Sequence, residues 1–267
     1  MVKLAVAGAA GRMGKMILQL AARDKTFKIT GGIEQRGHAT LGMDIGPVIG
    51  CDLLNAKIEQ DPFPVVKRAD VLIDFTHFSA LPENLKACVA ANTAIVIGTT
   101  AISPALMKKI VSASKKIPVL QSPNMSVGVN LLFNLAAMAG SSLDSSYDLE
   151  ITEVHHRMKK DAPSGTALKL LEILADSRGV DSRKDVVYGR QGETGSRQQG
   201  KIGVFALRGG DVVGEHTVSF LGDGERVELV HKASSREPFA KGALLAAKFL
   251  AKKRAGLYHM RQVLGKP

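Results

Sequence analysis

Tryptophan is absent, tyrosine occurs only three times, and aromatics make up 4% of the 267 residues. Proteins that hold single-stranded nucleic acid stack bases on aromatic side chains. This chain is poorly equipped for that, although its formal net charge is +11. Its basic residues are scattered rather than gathered into a long Lys/Arg block, so no nucleic-acid partner is expected. Small anions, such as a pyrophosphate cofactor and a dianionic substrate, account for the charge equally well. Only two cysteines are present, Cys51 and Cys88, in neither a C-x-x-C pair nor a metal-ligand spacing. They read as free thiols of a reducing compartment. No apolar run approaches the ~20 residues of a membrane span. Strand-like Lys3-Leu4-Ala5-Val6-Ala7 opens the sequence, and no leader peptide is expected. A cytosolic protein with no membrane partner is expected.

What is present is a chain 45% hydrophobic with 27 glycines, long enough for two ordinary domains. Short β-branched runs such as Val71-Leu72-Ile73 and Ile95-Val96-Ile97 alternate with helix-length segments, which points to parallel βαβ architecture. Strands are expected at 3–7, 27–33, 69–75, 94–98 and 118–121. Helices are expected from the glycine-rich turn at 8–14 to about 23, and at 82–91 and 104–114. The turn-rich stretch 36–64 reads as mostly loop. Beyond Pro123 the pattern changes. A long apolar helix (127–139), a strand (148–154) and a helix opening at Ser164 are followed by a polar segment, 181–201, that reads as a mobile loop. Strands at 204–208, 211–220 and 226–233 read as antiparallel with tight turns, and 239–252 as a closing helix. The fold class expected is α/β: a Rossmann-type doubly wound parallel sheet, then a second, α+β domain.

Three groups of residues carry chemistry, the second made of two strand ends. Gly8-Ala9-Ala10-Gly11-Arg12-Met13-Gly14 stands between a strand and a helix. There, glycines let the backbone approach a pyrophosphate, and the helix N-terminus supplies N–H donors. The spacing is G-x-x-G-x-x-G, which by itself also fits an ordinary βα turn. Glu34, at the end of the second strand and 20 residues after Gly14, is placed to accept bonds from adenosine ribose hydroxyls. Together they point to a nicotinamide dinucleotide. Gly98-Thr99-Thr100 and Ser122-Pro123-Asn124-Met125 each end a strand, where an open α/β sheet lines its ligand crevice; a plain strand-ending turn is the other reading. The third stretch runs from Glu153 to Thr166. His155, His156 and Lys159 offer proton donors and positive charge, and Ser164-Gly165-Thr166 opens a helix whose N–H groups suit a carboxylate. Adjacent histidines without an i, i+4 partner do not match zinc spacing, so no metal is expected.

Four segments, VAGAAGRMG at 6–14, GTT at 98–100, EVHHRMKKDAPSGTA at 153–167 and KASSREPFAKGAL at 232–244, resemble the 4-hydroxy-tetrahydrodipicolinate reductase (dihydrodipicolinate reductase) family of bacteria and plants over nearly the full chain. The resemblance implies a dinucleotide-binding domain at 1–126 and 236–267, and a substrate-binding domain at 127–235 that builds a homotetramer through its sheet. It implies NADH or NADPH as cofactor and a small dicarboxylate as substrate. The reaction implied reduces (2S,4S)-4-hydroxy-2,3,4,5-tetrahydrodipicolinate to tetrahydrodipicolinate, with loss of water, in lysine synthesis through diaminopimelate. By position in the family pattern, His155 gives the proton, Lys159 is a second donor and His156 contacts substrate, while Gly165 and Thr166 hold a carboxylate by their N–H groups. Gly8, Ala9, Ala10, Gly11, Arg12, Met13, Glu34, Gly98, Thr99, Thr100, Ser122, Pro123, Asn124 and Met125 bind the cofactor. Many family members carry Arg directly after the ribose acid; here that position is Gln35, with Arg36 next, which argues against strong NADPH preference. An amino-acid dehydrogenase, a non-catalytic nucleotide sensor and an RNA-binding protein are the competing readings. The HHxxK and DAPSGTA segments argue against the first, the presence of both His155 and Lys159 against the second, and the low aromatic content against the third.

Overall fold

The computed structural model describes residues 1–100 and 102–265. Along the chain run β1 (Val2–Ala7), α1 (Arg12–Arg23), β2 (Phe27–Ile33), α2 (Ile45–Ile49), β3 (Ile58–Glu59), α3 (Pro62–Lys67), β4 (Val71–Asp74), α4 (Leu81–Ala91), β5 (Ala94–Ile97), α5 (Pro104–Ser114) and β6 (Pro118–Gln121). Then come α6 (Val127–Ser142), β7 (Asp148–His155), α7 (Gly165–Arg178), β8 (Val186–Val187), β9 (Ile202–Arg208), β10 (Gly214–Gly222), β11 (Glu225–Ala233), α8 (Glu237–Leu250), β12 (Gly256–Tyr258) and α9 (Met260–Val263). The chain forms two compact units, Met1–Val127 with Arg236–Pro267, and Gly128–Ser235. Among the described residues no helix is long and apolar enough to cross a membrane.

The first unit is a parallel sheet in the order β12-β6-β5-β4-β1-β2-β3. Strands buried on both faces are nearly continuous apolar runs, and β4, β5 and the last four residues of β1 are buried, with Asp74 at the end of β4 the polar exception. Period-two alternation splits β1 between two cores. Leu4 and Val6 join α1 and α8 on one side; Ala5 and Ala7 join α3, α4 and α5 on the other. Helix α1 buries Gly14, Ile17, Leu18 and Ala21, the i, i+3, i+4, i+7 stripe of an amphipathic helix. Because β1 lies between β2 and β4, the strand order reverses there, and the carboxyl ends of β1 and β4 flank the crevice where such sheets bind ligands.

Most of the stretch 36–64 is turn and loop, as expected, with the short elements α2 and β3 and the start of α3 set within it. Asp44 organises it by accepting hydrogen bonds from the N–H groups of Gly46, Leu54 and Ala56 at 2.8–2.9 Å. A single carboxylate thus replaces the ladder that the glycines and prolines interrupt. In addition, β12 extends the sheet by pairing with β6.

The second unit stacks α6 and α7 on a sheet in the order β11-β10-β7-β9-β8. The expectation that the strands at 204–208, 211–220 and 226–233 follow one another as antiparallel neighbours is corrected: β9 and β10 are not paired but flank β7. β10 is antiparallel to β7 and β11, but β9 runs parallel to both β7 and β8. The connection from β7 to β9 passes through α7, a crossover, and parallel neighbours need one. The segment 181–201 contributes β8 and is anchored to the sheet at Arg197. Arg197 donates to Glu150, Asp148 and the carbonyls of Leu149 and Lys201 at 2.6–3.1 Å.

In the first unit, Gly242 lies inside α8, and a Cβ there would stand 1.8 Å from the Met125 carbonyl oxygen. Gly to Ala in a helix interior ordinarily stabilises by up to about 1 kcal/mol. Gly242→Ala is instead expected to destabilise by about 1–3 kcal/mol through overpacking. Urea unfolding checks this, and an unchanged or higher midpoint would contradict the packing account.

Candidate active site

In the first unit the glycine turn is shaped by contact. Gly8 adopts φ +73, and a Cβ there would meet the Phe75 carbonyl at 3.3 Å; a Cβ at Gly14 would meet the Gly8 carbonyl at 2.0 Å. Only glycine lets α1 start this close to β1. Helix α1 begins after Gly11 with no side-chain cap and no acidic residue in its first turn, leaving a positive helix end facing out of the turn. Glu34 reaches across from β2, and its Oε1 accepts from the Ala10 N–H at 2.8 Å. Such a cradle fits a pyrophosphate, with a carboxylate beside it for a ribose.

The other expected cofactor residues divide. Gly98 is pressed on the Phe75 ring, where a Cβ would come within 2.4 Å. Thr99 is buried and donates to Asp74 Oδ1 and the Thr76 carbonyl at 3.0 and 3.1 Å. Met125 is buried in the core beneath α8. Thr99 and Met125 therefore turn their side chains inward and offer a ligand only their main chain. Thr100 and Pro123 are exposed. Ser122 donates its hydroxyl to the Asn124 carbonyl at 2.6 Å, closing a tight turn. Sequence reasoning missed Asp74. This fully buried carboxylate also accepts from Thr76 N, Thr76 Oγ1 and Asn84 Nδ2 at 2.7–2.9 Å, tying the ends of β4 and β5 together.

The second unit builds its site from register. Along β7, residues Leu149, Ile151, Glu153 and His155 share the buried face. The first two enter the core, and the last two carry polar chemistry to the strand's carboxyl end. Parallel pairing sets Arg208 of β9 opposite His155, and antiparallel pairing sets His216 of β10 opposite Glu153. Glu153 is fully buried and accepts four hydrogen bonds: His155 Nδ1 at 2.5 Å, Ser164 N at 2.9 Å, and both terminal nitrogens of Arg208 at 2.8 Å. Burial alone would raise its carboxyl, but the bonds from His155, Arg208 and Ser164 outweigh it and bring the pKa down to about 2.

Ser164 caps α7 by accepting from Ala167 N at 3.2 Å, and its hydroxyl meets His216 Nε2 at 3.1 Å. Gly165 and Thr166 form the first turn, and the space where a Gly165 side chain would stand is open. Lys159 pairs with Asp161 at 2.9 Å, and Arg208 also binds the Asp161 carbonyl. His156 is anchored by its N–H to the Val212 carbonyl at 2.7 Å. His155, Lys159 and the start of α7 are thus tied together through Glu153, Asp161 and Arg208. Such an arrangement can transfer a proton and hold a carboxylate. Glu153, Arg208 and His216 were not singled out from sequence. The signal available was the alternation along 149–155, which puts Glu153 on the face of His155.

Burial, followed by the neighbouring His155, His231 and Lys159, lowers His216 from the ordinary 6.5 to about 3, against the pull of Glu153. Its folded pKa is depressed, so the stability it contributes is present above 6.5 and is lost as pH falls toward 3. Glu153 adds a loss of the same sign between about 4.5 and 2. Unfolding free energy is expected to drop by about 2 kcal/mol between pH 6.5 and 5. His216→Gln should flatten that interval in urea melts, and a variant keeping the full slope would contradict the assignment.

Comparison with known proteins agrees with both halves. Residues 2–125 match the family described as dihydrodipicolinate reductase, N-terminus, and residues 128–264 match dihydrodipicolinate reductase, C-terminus. The 4-hydroxy-tetrahydrodipicolinate reductase of Anaeromyxobacter sp. (strain Fw109-5) is 49% identical, covering 99% of this chain and 98% of that one. Those of Syntrophotalea carbinolica and Geobacter sulfurreducens are 46% and 44% identical, each covering 99% of both chains. Among solved structures, the dipicolinate-bound dihydrodipicolinate reductase from Paenisporosarcina sp. TG-14 superposes with a TM-score of 0.76 over 97% of each chain at 20% identity, a likeness of fold. With family matches over both halves and relatives this similar along the whole length, the chain belongs to the dihydrodipicolinate reductase family.

Proposed function

We propose that this chain reduces (2S,4S)-4-hydroxy-2,3,4,5-tetrahydrodipicolinate to tetrahydrodipicolinate, releasing water, in the diaminopimelate route to lysine. The reading rests on one observation above the others. His155, Lys159 and the open start of α7 at Gly165–Thr166 are tied into one cluster, in a chain 49% identical to a relative of that name. Dipicolinate, bound in the Paenisporosarcina relative, is a cyclic dicarboxylate of the same class. In this reading residues 127–235 bind substrate, and 1–126 with 236–267 bind the nucleotide. The nucleotide contacts are Gly8 to Met13, Glu34, Gly98 to Thr100, and Ser122 to Met125. Reduced nicotinamide, when bound, supplies hydride to the ring carbon that lost the hydroxyl. His155 gives a proton to the neighbouring carbon. Lys159 offsets the negative charge that builds during the transfer. His156 contacts the substrate, and the N–H groups of Gly165 and Thr166 hold one carboxylate. The setting is cytosolic, and the assembly is a homotetramer formed through the second sheet. Exposed Leu207 and Val230 on that sheet support the assembly.

Each of His155 and Lys159 acts mainly in the transition state. His155→Ala and Lys159→Ala are therefore expected to lower kcat by about 10²- to 10⁴-fold with little change in KM. His156→Ala should raise KM more than it lowers kcat. The assay follows NADH oxidation, with substrate made in situ by the preceding synthase. Near-full kcat in either of the first two variants removes that residue's assignment.

NADH is expected to serve at least as well as NADPH, because Glu34 pairs with ribose hydroxyls and repels a 2′-phosphate, and Gln35 brings no charge to offset it. Glu34→Ala should weaken NADH more than NADPH. A wild-type preference for NADPH above about tenfold, ~1.4 kcal/mol, would contradict this reading.

A further inference from the structure

We propose that Glu153 is the positioning residue of His155, holding the ring with a proton on Nδ1 so that Nε2 gives and regains the transferred proton, and that Arg208 in turn fixes Glu153. The inference rests on the assignment of His155 as proton donor.

An ionised carboxylate can only accept hydrogen bonds, so Nδ1, 2.5 Å from Glu153 Oε2, carries its hydrogen in both states of the ring. The carboxylate has no room to turn away. Its Oε1 takes Ser164 N and one Arg208 nitrogen, and its Oε2 takes His155 and the other. The Arg208 fork is bidentate, the geometry that most strictly fixes a carboxylate plane. His216 packs edge-on against the His155 ring, centroids 5.3 Å apart. At Nε2 the wall is Gly214, where a Cβ would stand 3.0 Å from that nitrogen. A side chain at that position would crowd the nitrogen.

The Nε2–H bond of the imidazolium breaks, and the proton forms a C–H bond at the substrate ring carbon beside the one that takes hydride from reduced nicotinamide. The neutral ring retains Nδ1–H against Glu153, which stays ionised. Water then returns a proton to Nε2. Without the Glu153 charge the neutral ring is free to carry its hydrogen on Nε2, and half of its orientation is lost. A buried carboxylate paired with Arg208 would also be present if it served only to hold the fold, so the test must read the ring itself.

Nitrogen NMR on protein labelled in its histidine side chains reads the tautomer. In the wild type the neutral His155 ring should carry hydrogen on Nδ1 and none on Nε2. Glu153→Gln should populate the Nε2–H form and lower kcat on the order of 10²-fold, with KM changed less than about threefold. The double variant with His155→Ala should be no slower than His155→Ala alone, as expected for two residues acting through one step. A wild-type ring bearing hydrogen on Nε2, a Glu153→Gln variant within about threefold of wild-type kcat, or additive losses in the double variant each overturn the proposal. Should Glu153→Gln fail to fold, the wild-type spectrum still decides, because it needs no variant. Full activity in His155→Ala is a separate failure: it removes the proton-donor assignment, whereas the tautomer is read without reference to rate.

Discussion

A carboxylate with no exposure to water must be surrounded by donors or give up its charge. Glu153 is so placed, and four donors from three separate parts of the chain meet it. Stripping water from a carboxylate and a guanidinium costs several kcal/mol per ion, which is offset only when the remaining lone pairs are filled. Each donor has its own geometric demand. Ser164 N must arrive at the start of α7, Arg208 must lie in register with His155, and His155 must follow Glu153 by two on one strand. The position of α7 over β7, the crossover that makes β9 parallel, and the orientation of the imidazole all satisfy one buried charge. Removing either partner would leave the other buried and unpaired, a far larger loss than the pair's net contribution.

The first unit answers a different constraint, the close approach of backbone to backbone. Gly14 against Gly8, Gly32 against Ala9, Gly98 against the Phe75 ring and Gly242 against Met125 each occupy a place where a Cβ would overlap a neighbour. These contacts draw α1, α8 and the turn after β5 in against the sheet. What remains uncovered is the N-terminus of α1, without cap or acid. Asp74 does for this unit what Glu153 does for the other. It is a buried acceptor whose partners fix the strand ends beside the crevice.

The two units also differ in how they treat polar residues at the ends of strands. In the first, the strand-end side chains of Asp74 and Thr99 turn inward and bond each other, so a ligand there meets main chain and helix dipole. In the second, His155 carries an ionisable side chain to the strand end itself. Binding a cofactor needs a fixed polar cradle, whereas moving a proton needs a group that changes state.

Much was legible before folding, because it is written in short-range periodicity. Burial of β4 and β5 shows as the short apolar runs Val71–Ile73 and Ala94–Ile97. The stripe of α1 shows as a 3.6 period, and Ser103-Pro104 and Ser164 announce helix starts. His155, His156, Lys159, Gly165 and Thr166 were within reach because they lie within a dozen residues of one another. The short elements α2 and β3 within the turn-rich stretch around Asp44 leave no pattern in the sequence, because there a side chain rather than a periodic ladder satisfies the backbone. Local sequence thus determined the class of the first sheet, the glycine turn and the residues available for chemistry. Only the tertiary structure decided that β9 is parallel to β7, that Arg208 meets Glu153 from 55 residues away, and that His216 meets Ser164 from 52. Those pairings depend on strand register. Register is fixed by the joint burial of all the strands, which no local stretch of sequence contains.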